Sequence, residues 1–569
     1  MNKTRFNLTW FVLALVLLSS CGGLNRMRSN ADNVRYNVTP EVLEAHGGEV
    51  EVNIRATYPA RYFHRRAIVE VTPVITWDGG EATLSSITLQ GENVRDNHQV
   101  INFGGGSFSY SDRIPFVEGM RLSDLEVKVN ASLRNNEAEF DPMKIADGVI
   151  ATSTLVVNRP ESVLTPDRFQ RIIPETREAA IFYAINRANV RPAELSSEQM
   201  DEFRRFLDEV VESERVELKN VGVNAFASPE GPIRFNERLS EQRKESSDRV
   251  LGQELRRVGI DRTNDFYNAR ALGEDWEGFK TLMEQSDIAD RQLILRVLNM
   301  YTDPEIRERE IRNLAAVFTE IADKVLPQLR RSEMAVNVER IGYSDAELRQ
   351  IYNSNPSTLN EEEILYTATL YTDLSTKHQV YHRASQLFPN SFRAHNAKGV
   401  VLMDLDNVAA AKDAFQRASQ IQNNDVVRNN LGAVALREGN IEQAEEYFAS
   451  VASPTEETNY NMGIVAIKKG DYAKASGHLG NRPVINNALV KMLQSNDDDA
   501  LRILNNIQQP SALAYYLRAV IGARRGDNSM VFDNLRTAVR MEANMKEYAR
   551  TDMEFGRYFQ DNTFVSIVN

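Results

Sequence analysis

The chain has 569 residues, 26% of them charged and 42% hydrophobic. That balance excludes a disordered polypeptide, and the length exceeds what one core can serve, so about three to four domains are expected. The formal net charge of −13 excludes a general nucleic-acid binder, which needs a basic footprint.

Lys3 and Arg5 precede an apolar run from Leu8 through Leu18. The run is shorter than the about 20 residues that a spanning helix needs. Its flanks fit a secretory signal over residues 1–20. It ends in Leu18-Ser19-Ser20-Cys21-Gly22, which resembles the lipobox of bacterial lipoproteins. The resemblance implies cleavage before Cys21 and a diacylglycerol on its thiol, so outer-membrane lipid is the first expected partner. Cys21 is the chain's single cysteine and cannot be half of an internal disulfide. Two or more acyl chains hold a membrane stably, since each buried methylene contributes about 0.8 kcal/mol. Residues 21–32 are expected to form a flexible tether. No acidic cluster directly follows the cysteine, which favours an anchor facing the periplasm.

Residues 33–160 are expected to form a β-sandwich. Glu49–Thr57, Val69–Trp77, Ala82–Leu89 and Leu122–Ala131 have extended patterns, and turn signals such as Asp78-Gly79-Gly80 and Gly104-Gly105-Gly106 separate them. The glycine triplet lacks the Lys-Ser/Thr of a phosphate loop, so a tight turn is expected there.

Residues 165–343 have an α/β order: a strand at Ile181–Ile185, a helix at Ser196–Glu212 capped by Ser197, a strand at Val216–Phe226 and a helix at Asn236–Leu255. Asn236-Glu237-Arg238-Leu239-Ser240-Glu241-Gln242-Arg243 resembles the N-x-x-L-S-x-x-R signature of the OmpA C-terminal domain. Ala225-Phe226-Ala227-Ser228-Pro229-Glu230-Gly231 stands where that family has G-Y-T-D-x-x-G. Arg330-Arg331 with Met334–Val338 resembles its closing strand. The resemblance implies peptidoglycan as a partner, held through Asn236, Arg243 and the position of Ser228. The family's aspartate is Ser228 here, which removes half of the charge complement for diaminopimelate, unless Glu230 turns inward. An insertion, about 274–326, opens with Gly273-Glu274-Asp275-Trp276. It is expected to be helical, with Leu293, Ile294, Val297 and Leu298 on its buried face and Pro327 ending it. It resembles versions of the domain found in outer-membrane proteins of Bacteroidota.

Residues 345–549 carry a helical repeat near 34 residues, resembling tetratricopeptide repeats (TPR). Gly399, Gly432 and Gly463 mark the small position of three first helices. Ala411, Ala444 and Ala475 open the second helices, and Phe415, Phe448 and Leu479 follow each by four. Weaker copies are expected around Leu365–Pro389 and Ala519–Ala538. Small residues let paired helices touch while Phe or Leu fills the gap. The resemblance implies a concave groove for a protein partner, to whose backbone Asn429, Asn430, Asn459 and Asn461 would present amides.

No catalytic constellation, cofactor motif or metal site is expected. His378 and His382 lack the intervening Glu of a zinc helix, and no cysteine cluster exists. The expected fold class is therefore multidomain: sandwich, OmpA-like α/β domain with a helical insertion, and TPR solenoid. The expected function is a non-enzymatic scaffold in an envelope assembly or secretion complex. A peptidoglycan-binding linker and a surface structural or adhesin-associated lipoprotein are the alternatives.

Overall fold

A computed structural model of the protein describes residues 22–262 and 266–569; the expected signal over residues 1–20 and the expected lipidation at Cys21 lie outside the described residues. No helix among the described residues is long and apolar enough to cross a membrane. The chain divides into two compact units, Met1–Pro166 with Asp373–Asn569, and Asp167–Thr372.

The first described element of the first unit is a helix, Gly22–Ser29, where a free tether is expected from sequence. Leu24 and Met27 lie on its inner side and are buried in the sandwich core. Burying two such side chains contributes about 2 kcal/mol each, which is why the segment docks.

The sandwich strands alternate as their sequence does. Val50, Val52, Ile54 and Ala56 of Glu49–Tyr58 face Val69, Val71, Leu125 and Val127 of Ile68–Trp77 and Ser123–Leu133 in one core. Val42–His46 pairs antiparallel with Glu49–Tyr58 and parallel with Met143–Ile150, and so joins the described strands of this unit into one 11-stranded sheet. The extended run expected at Ala82–Leu89 is two short strands, Gly80–Thr83 and Ile87–Gly91, both paired to Ile68–Trp77. They part beside Pro73, which has no N–H to give the ladder; its carbonyl accepts from Leu84 N–H at 3.0 Å. Gly105 makes the expected turn with φ +103°, and a Cβ there would meet the Tyr58 carbonyl oxygen at 3.0 Å.

The last sandwich strand ends at Ile150, and residues 151–166 run on into the helical part of the same unit. Leu155 sits in the helical core. Thr152 Oγ1 donates to Glu554 Oε1 at 2.6 Å, and His46 Nδ1 lies 2.9 Å from the Tyr472 hydroxyl. Arg121, buried between the strands, lies over the Tyr548 ring at 4.1 Å, so the β-rich part and the helices share a buried contact.

The helices of this unit run in hairpins from Leu374–Leu387 to Asn562–Val568, beyond the expected end at 549. Ala411, Ala444, Ala475, Phe415, Phe448 and Leu479 are all buried. A Cβ on Gly399 would lie 2.5 Å from the Phe415 ring, on Gly432 2.6 Å from Phe448, and on Gly463 2.7 Å from Leu479. Each glycine is therefore the space its partner's side chain fills. A further hairpin, Ile485–Leu493 with Asp497–Asn505, stands between the copies legible in sequence. Its Ala500 and Leu504 repeat the small-then-large pair four apart, but Ala500 follows Ala475 by only 25 residues, so the repeat falls out of phase.

The second unit has a four-stranded sheet in the order Ile172–Phe182, Arg331–Ile341, Val216–Ala227, Tyr267–Glu274. The last pair is parallel and the others antiparallel. The first strand spans Ile172–Phe182, not Ile181–Ile185. The strand Tyr267–Glu274 precedes the insertion and was not legible as one. Ser197 Oγ caps Glu198–Glu212, whose Met200, Phe203, Phe206, Leu207 and Val210 are buried. The insertion has its own core of Phe279, Met283, Ile294, Leu298, Ile311 and Ile321. Leu293, expected on that face, is 40% exposed. Pro327 sits in the first turn of the short helix Leu326–Leu329, where a missing N–H costs nothing. The helices Asp345–Ser354 and Glu361–Thr369, expected in the solenoid, belong to this unit. Arg215 pairs with Glu347 at 2.6 Å, and Phe169 stacks on Tyr366 with ring centroids 4.5 Å apart.

Candidate protein-binding groove

The first helices of four successive hairpins, Phe392–Asp404, Asp425–Arg437, Glu456–Lys468 and Ile485–Leu493, bring asparagines to one line. Asn396, Asn429, Asn430, Asn461 and Asn486 are all buried. A primary amide offers one acceptor and two donors in the geometry of a backbone amide. Here that geometry is used on a polypeptide backbone, and the polypeptide is the chain's own segment 157–163.

Asn486 accepts from Val157 N–H at 2.8 Å and donates to its carbonyl at 3.0 Å. Asn461 does the same for Glu161 at 2.7 and 2.8 Å. Asn430 does so for Val163 at 2.7 and 2.9 Å. Asn396 and Asn429 add second donors to the Val163 and Glu161 carbonyls at 3.0 and 3.2 Å. The amides also join one another: Asn430 donates to Asn396 at 2.8 Å and Asn461 to Asn429 at 3.3 Å. Each inward backbone group at these positions is thereby satisfied, as burial demands.

Side chains add a second layer. Arg482 grips both carboxylate oxygens of Glu161 at 2.9 and 3.1 Å and lies over the Tyr460 ring at 4.9 Å. This forked pairing suits guanidinium and carboxylate planes. Pro160 is buried, while Arg159 stays exposed. Beside them is a cavity of about 310 Å³ lined by Arg159, Met403, Asp404 and Arg437. Burial raises the pKa of the Asp404 carboxyl.

Of the asparagines singled out from sequence, Asn429, Asn430 and Asn461 form this ladder and Asn459 does not. Asn396 and Asn486 were missed. The available signal was the offset to the small position, since Asn430 and Asn461 each precede a repeat glycine by two residues and Asn396 precedes Gly399 by three. Nothing in sequence marked 157–163 as the occupant.

The second unit brings together the residues of the OmpA-like signature. Ser228, Asn236 and Arg243 are each buried. Glu230 does turn inward: Ser228 Oγ donates to its Oε1 at 2.7 Å, and Arg330 Nε pairs with the same oxygen at 2.9 Å. Gly231, at φ +95°, makes the turn that allows this. Asn236 donates to the Glu230 carbonyl at 3.1 Å and to Glu274 Oε1 at 2.8 Å. Trp276 Nε1 donates to the other Glu274 oxygen at 2.9 Å, and burial raises that carboxyl's pKa. Arg243 has no exposed surface. Its Nε and Nη1 donate to the carbonyls of Arg187 and Phe226 at 3.0 and 2.8 Å, and it lies 5.0 Å from the Tyr183 ring centroid. Burial lowers its pKa to about 10. Its Nη2 is buried with no hydrogen-bond partner.

His378 and His382 stack with centroids 5.9 Å apart. Among the described residues, no group of three or more metal-ligating side chains comes together.

No family model matches the chain, and no curated protein does. Solved structures with helical repeats do. The crystal structure of the APC/C hetero-tetramer Cut9-Hcn1 is 14% identical, over 39% of this chain and 44% of that one, with a TM-score of 0.32. This chain therefore spans less than half of that structure. A tetratricopeptide repeat protein from Parabacteroides merdae is 14% identical over 37% of this chain and 91% of its own, with a TM-score of 0.30. Pseudomonas aeruginosa pilF is 17% identical over 36% and 97%, with a TM-score of 0.29.

Proposed function

We propose that this chain is a non-enzymatic scaffold, anchored by lipid on Cys21 to the periplasmic face of an outer membrane, that binds protein partners in an envelope assembly or secretion complex. The asparagine ladder carries this reading. A groove that grips a polypeptide through its backbone is a protein-recognition device, and here it first fastens the chain's own 157–163. That fastening turns sandwich and solenoid into one body behind the anchor. Partners then meet the helical surface outside the filled stretch.

Photo-crosslinking residues at Leu405 and Met541, both exposed on the helical part, are expected to give discrete adducts with envelope proteins in the membrane fraction. Absence of adducts at both would overturn the scaffold reading. Cys21→Ser is expected to release the protein from membranes; retention would overturn the anchor.

The second reading, a linker to peptidoglycan through the unit Asp167–Thr372, is favoured by the inward turn of Glu230, which supplies a carboxylate beside Ser228. Saturable binding of purified chain to isolated cell wall would support it, and no binding would remove it.

A further inference from the structure

Arg26 of the first helix, Arg35 of the strand Arg35–Thr39 and Arg61 of the loop after Glu49–Tyr58 line one cavity of about 550 Å³, with Asn30, Asn33 and Tyr62. Two nearby arginines are paired, Arg28 with Asp141 at 3.0 Å and Arg65 with Glu92 at 3.1 Å. Arg26, Arg35 and Arg61 make no ion pair among the described residues. The acidic residue nearest in sequence, Asp32, is not part of the cavity wall. In a chain of net charge −13, unpaired cations gathered around one concavity are a local reversal of sign.

The backbone points the same way. Arg61 has φ +68°, a left-handed conformation that glycine or asparagine adopts with less strain. Its N–H is held by the Phe103 carbonyl at 2.7 Å. Strain of this kind persists where the surroundings over-determine it, and such places cluster at ligand clamps. Position is the third observation. Arg26 follows Cys21 by five residues, and the helix between is docked through Leu24 and Met27, so no slack tether separates the anchor from the cavity.

We propose that this cavity binds the phosphate of an anionic lipid headgroup in the leaflet that holds the anchor. The proposal rests on the reading of Cys21 as the lipidated residue. Guanidinium forks match phosphate oxygens in geometry as well as charge. The half-buried Tyr62 gives the rim an amphipathic ring of the kind that sits at headgroup level. Lipid on the cysteine then supplies the attachment, and the arginines fix which side of the sandwich faces the membrane.

The test uses the chain from residue 22 onward, which has no acyl group, in flotation with phosphatidylcholine vesicles with or without phosphatidylglycerol. The wild type is expected to float with the anionic vesicles only, and to be released by about 0.5 M salt, where screening is short-ranged. Each arginine near an anionic surface strengthens binding about fivefold, so Arg26→Gln, Arg35→Gln and Arg61→Gln together are expected to weaken it about 100-fold. A control triple variant on exposed solenoid positions, Arg417→Gln, Arg502→Gln and Arg536→Gln, is expected to bind as wild type. Equal flotation with neutral vesicles, or equal loss in the control, would overturn the proposal. So would saturable uptake of inorganic phosphate without flotation, which would assign the cavity to a soluble anion. Thermal melts of both variants establish that the fold is kept. The anchor reading has its own readout, the mass of the N-terminal peptide from membranes: an unmodified Cys21 would overturn that reading and leave the flotation result standing.

Discussion

The solenoid groove and the turn after Val216–Ala227 both bury polar groups, by opposite means. In the groove, neutral amides pair with a backbone, and no charge has to leave water to make the ladder. In the turn, Glu230, Arg330 and Arg243 are charged groups withdrawn from solvent, and each is held by internal partners. A neutral ladder recognises any extended chain and can be rearranged at modest cost. A buried charge cluster is costly to disturb, because a lost partner leaves an uncompensated ion. The groove thus holds an extended backbone without burying a charge, whereas Arg243 of the second unit is engaged by carbonyls of its own fold.

The largest expected effect tests the charged side of that contrast. Glu230→Gln leaves the Arg330 guanidinium, 12% exposed, without its counter-charge. It is expected to destabilise the second unit by about 3 kcal/mol. Urea unfolding followed by Trp276 fluorescence in a Trp77→Phe background measures it. A cost near zero would mean that Glu230 is free enough to meet a ligand, and would strengthen the cell-wall reading.

Asp552 carries the contrast into the first unit, where a carboxyl is buried near a neutral partner. Its Oδ2 accepts from the Tyr516 hydroxyl at 2.6 Å. Burial, and then the charge of Glu554, raises its pKa from 3.8 to about 6. The folded state therefore holds this proton more tightly than the unfolded one. The stability it contributes is full below about pH 4 and is lost as the pH rises through about 6, a change of about 3 kcal/mol at most. Asp552→Asn keeps the hydrogen-bonding shape and removes the titration. Urea midpoints are expected to favour the variant over wild type at pH 7.5, and by about half as much at pH 5. An equal difference at both would refute the assignment.

On the neutral side, Asn461→Ala removes both hydrogen bonds to Glu161. Asn429 still donates to the Glu161 carbonyl, so the N–H is the group left unmade. The expected cost is about 2 kcal/mol, and hydrogen exchange is expected to speed selectively at the Glu161 amide. Unchanged protection there would mean that the ladder does not hold the segment.

Periodicity made the solenoid legible because Gly399, Gly432 and Gly463 are the space for Phe415, Phe448 and Leu479, and a steric pair repeats wherever the hairpin does. The hairpin Ile485–Asn505 escaped because its first helix has 9 residues where the three before it have 13, which shifts its phase without changing its packing. Alternation exposed the long sandwich strands, yet Tyr267–Glu274 alternates only between half-buried and exposed positions, and two of its inner residues are the small Ala269 and Ala271, so its contrast is weak. The asparagines were visible as groove candidates, but their ligand was not. A backbone-reading ladder imposes no side-chain pattern on what it holds, so 157–163 has the composition of an ordinary linker. The docked first helix was hidden for a related reason, since two apolar residues among polar ones, Leu24 and Met27, give too short a period to detect.

Beside the ladder's neutral amides stands a charged contact, between Glu161 and Arg482. Glu161 and Arg482 pair through both oxygens, but their side chains are 35% and 31% exposed. Solvent screening at that exposure limits such a pair to about 1 kcal/mol or less. Glu161→Gln keeps the backbone groups that Asn461 and Asn429 hold and removes only the charge, so it is expected to cost less than half of what Asn461→Ala does. Both are measured as shifts in the same urea transition of the first unit. If Glu161→Gln costs as much as Asn461→Ala, the groove selects its occupant by side chain, and the pair with Arg482 fixes the register of 157–163. If it costs little, the groove selects by extended backbone alone. Segment 157–163 then holds its place because it is tethered at high local concentration, not because its sequence is preferred.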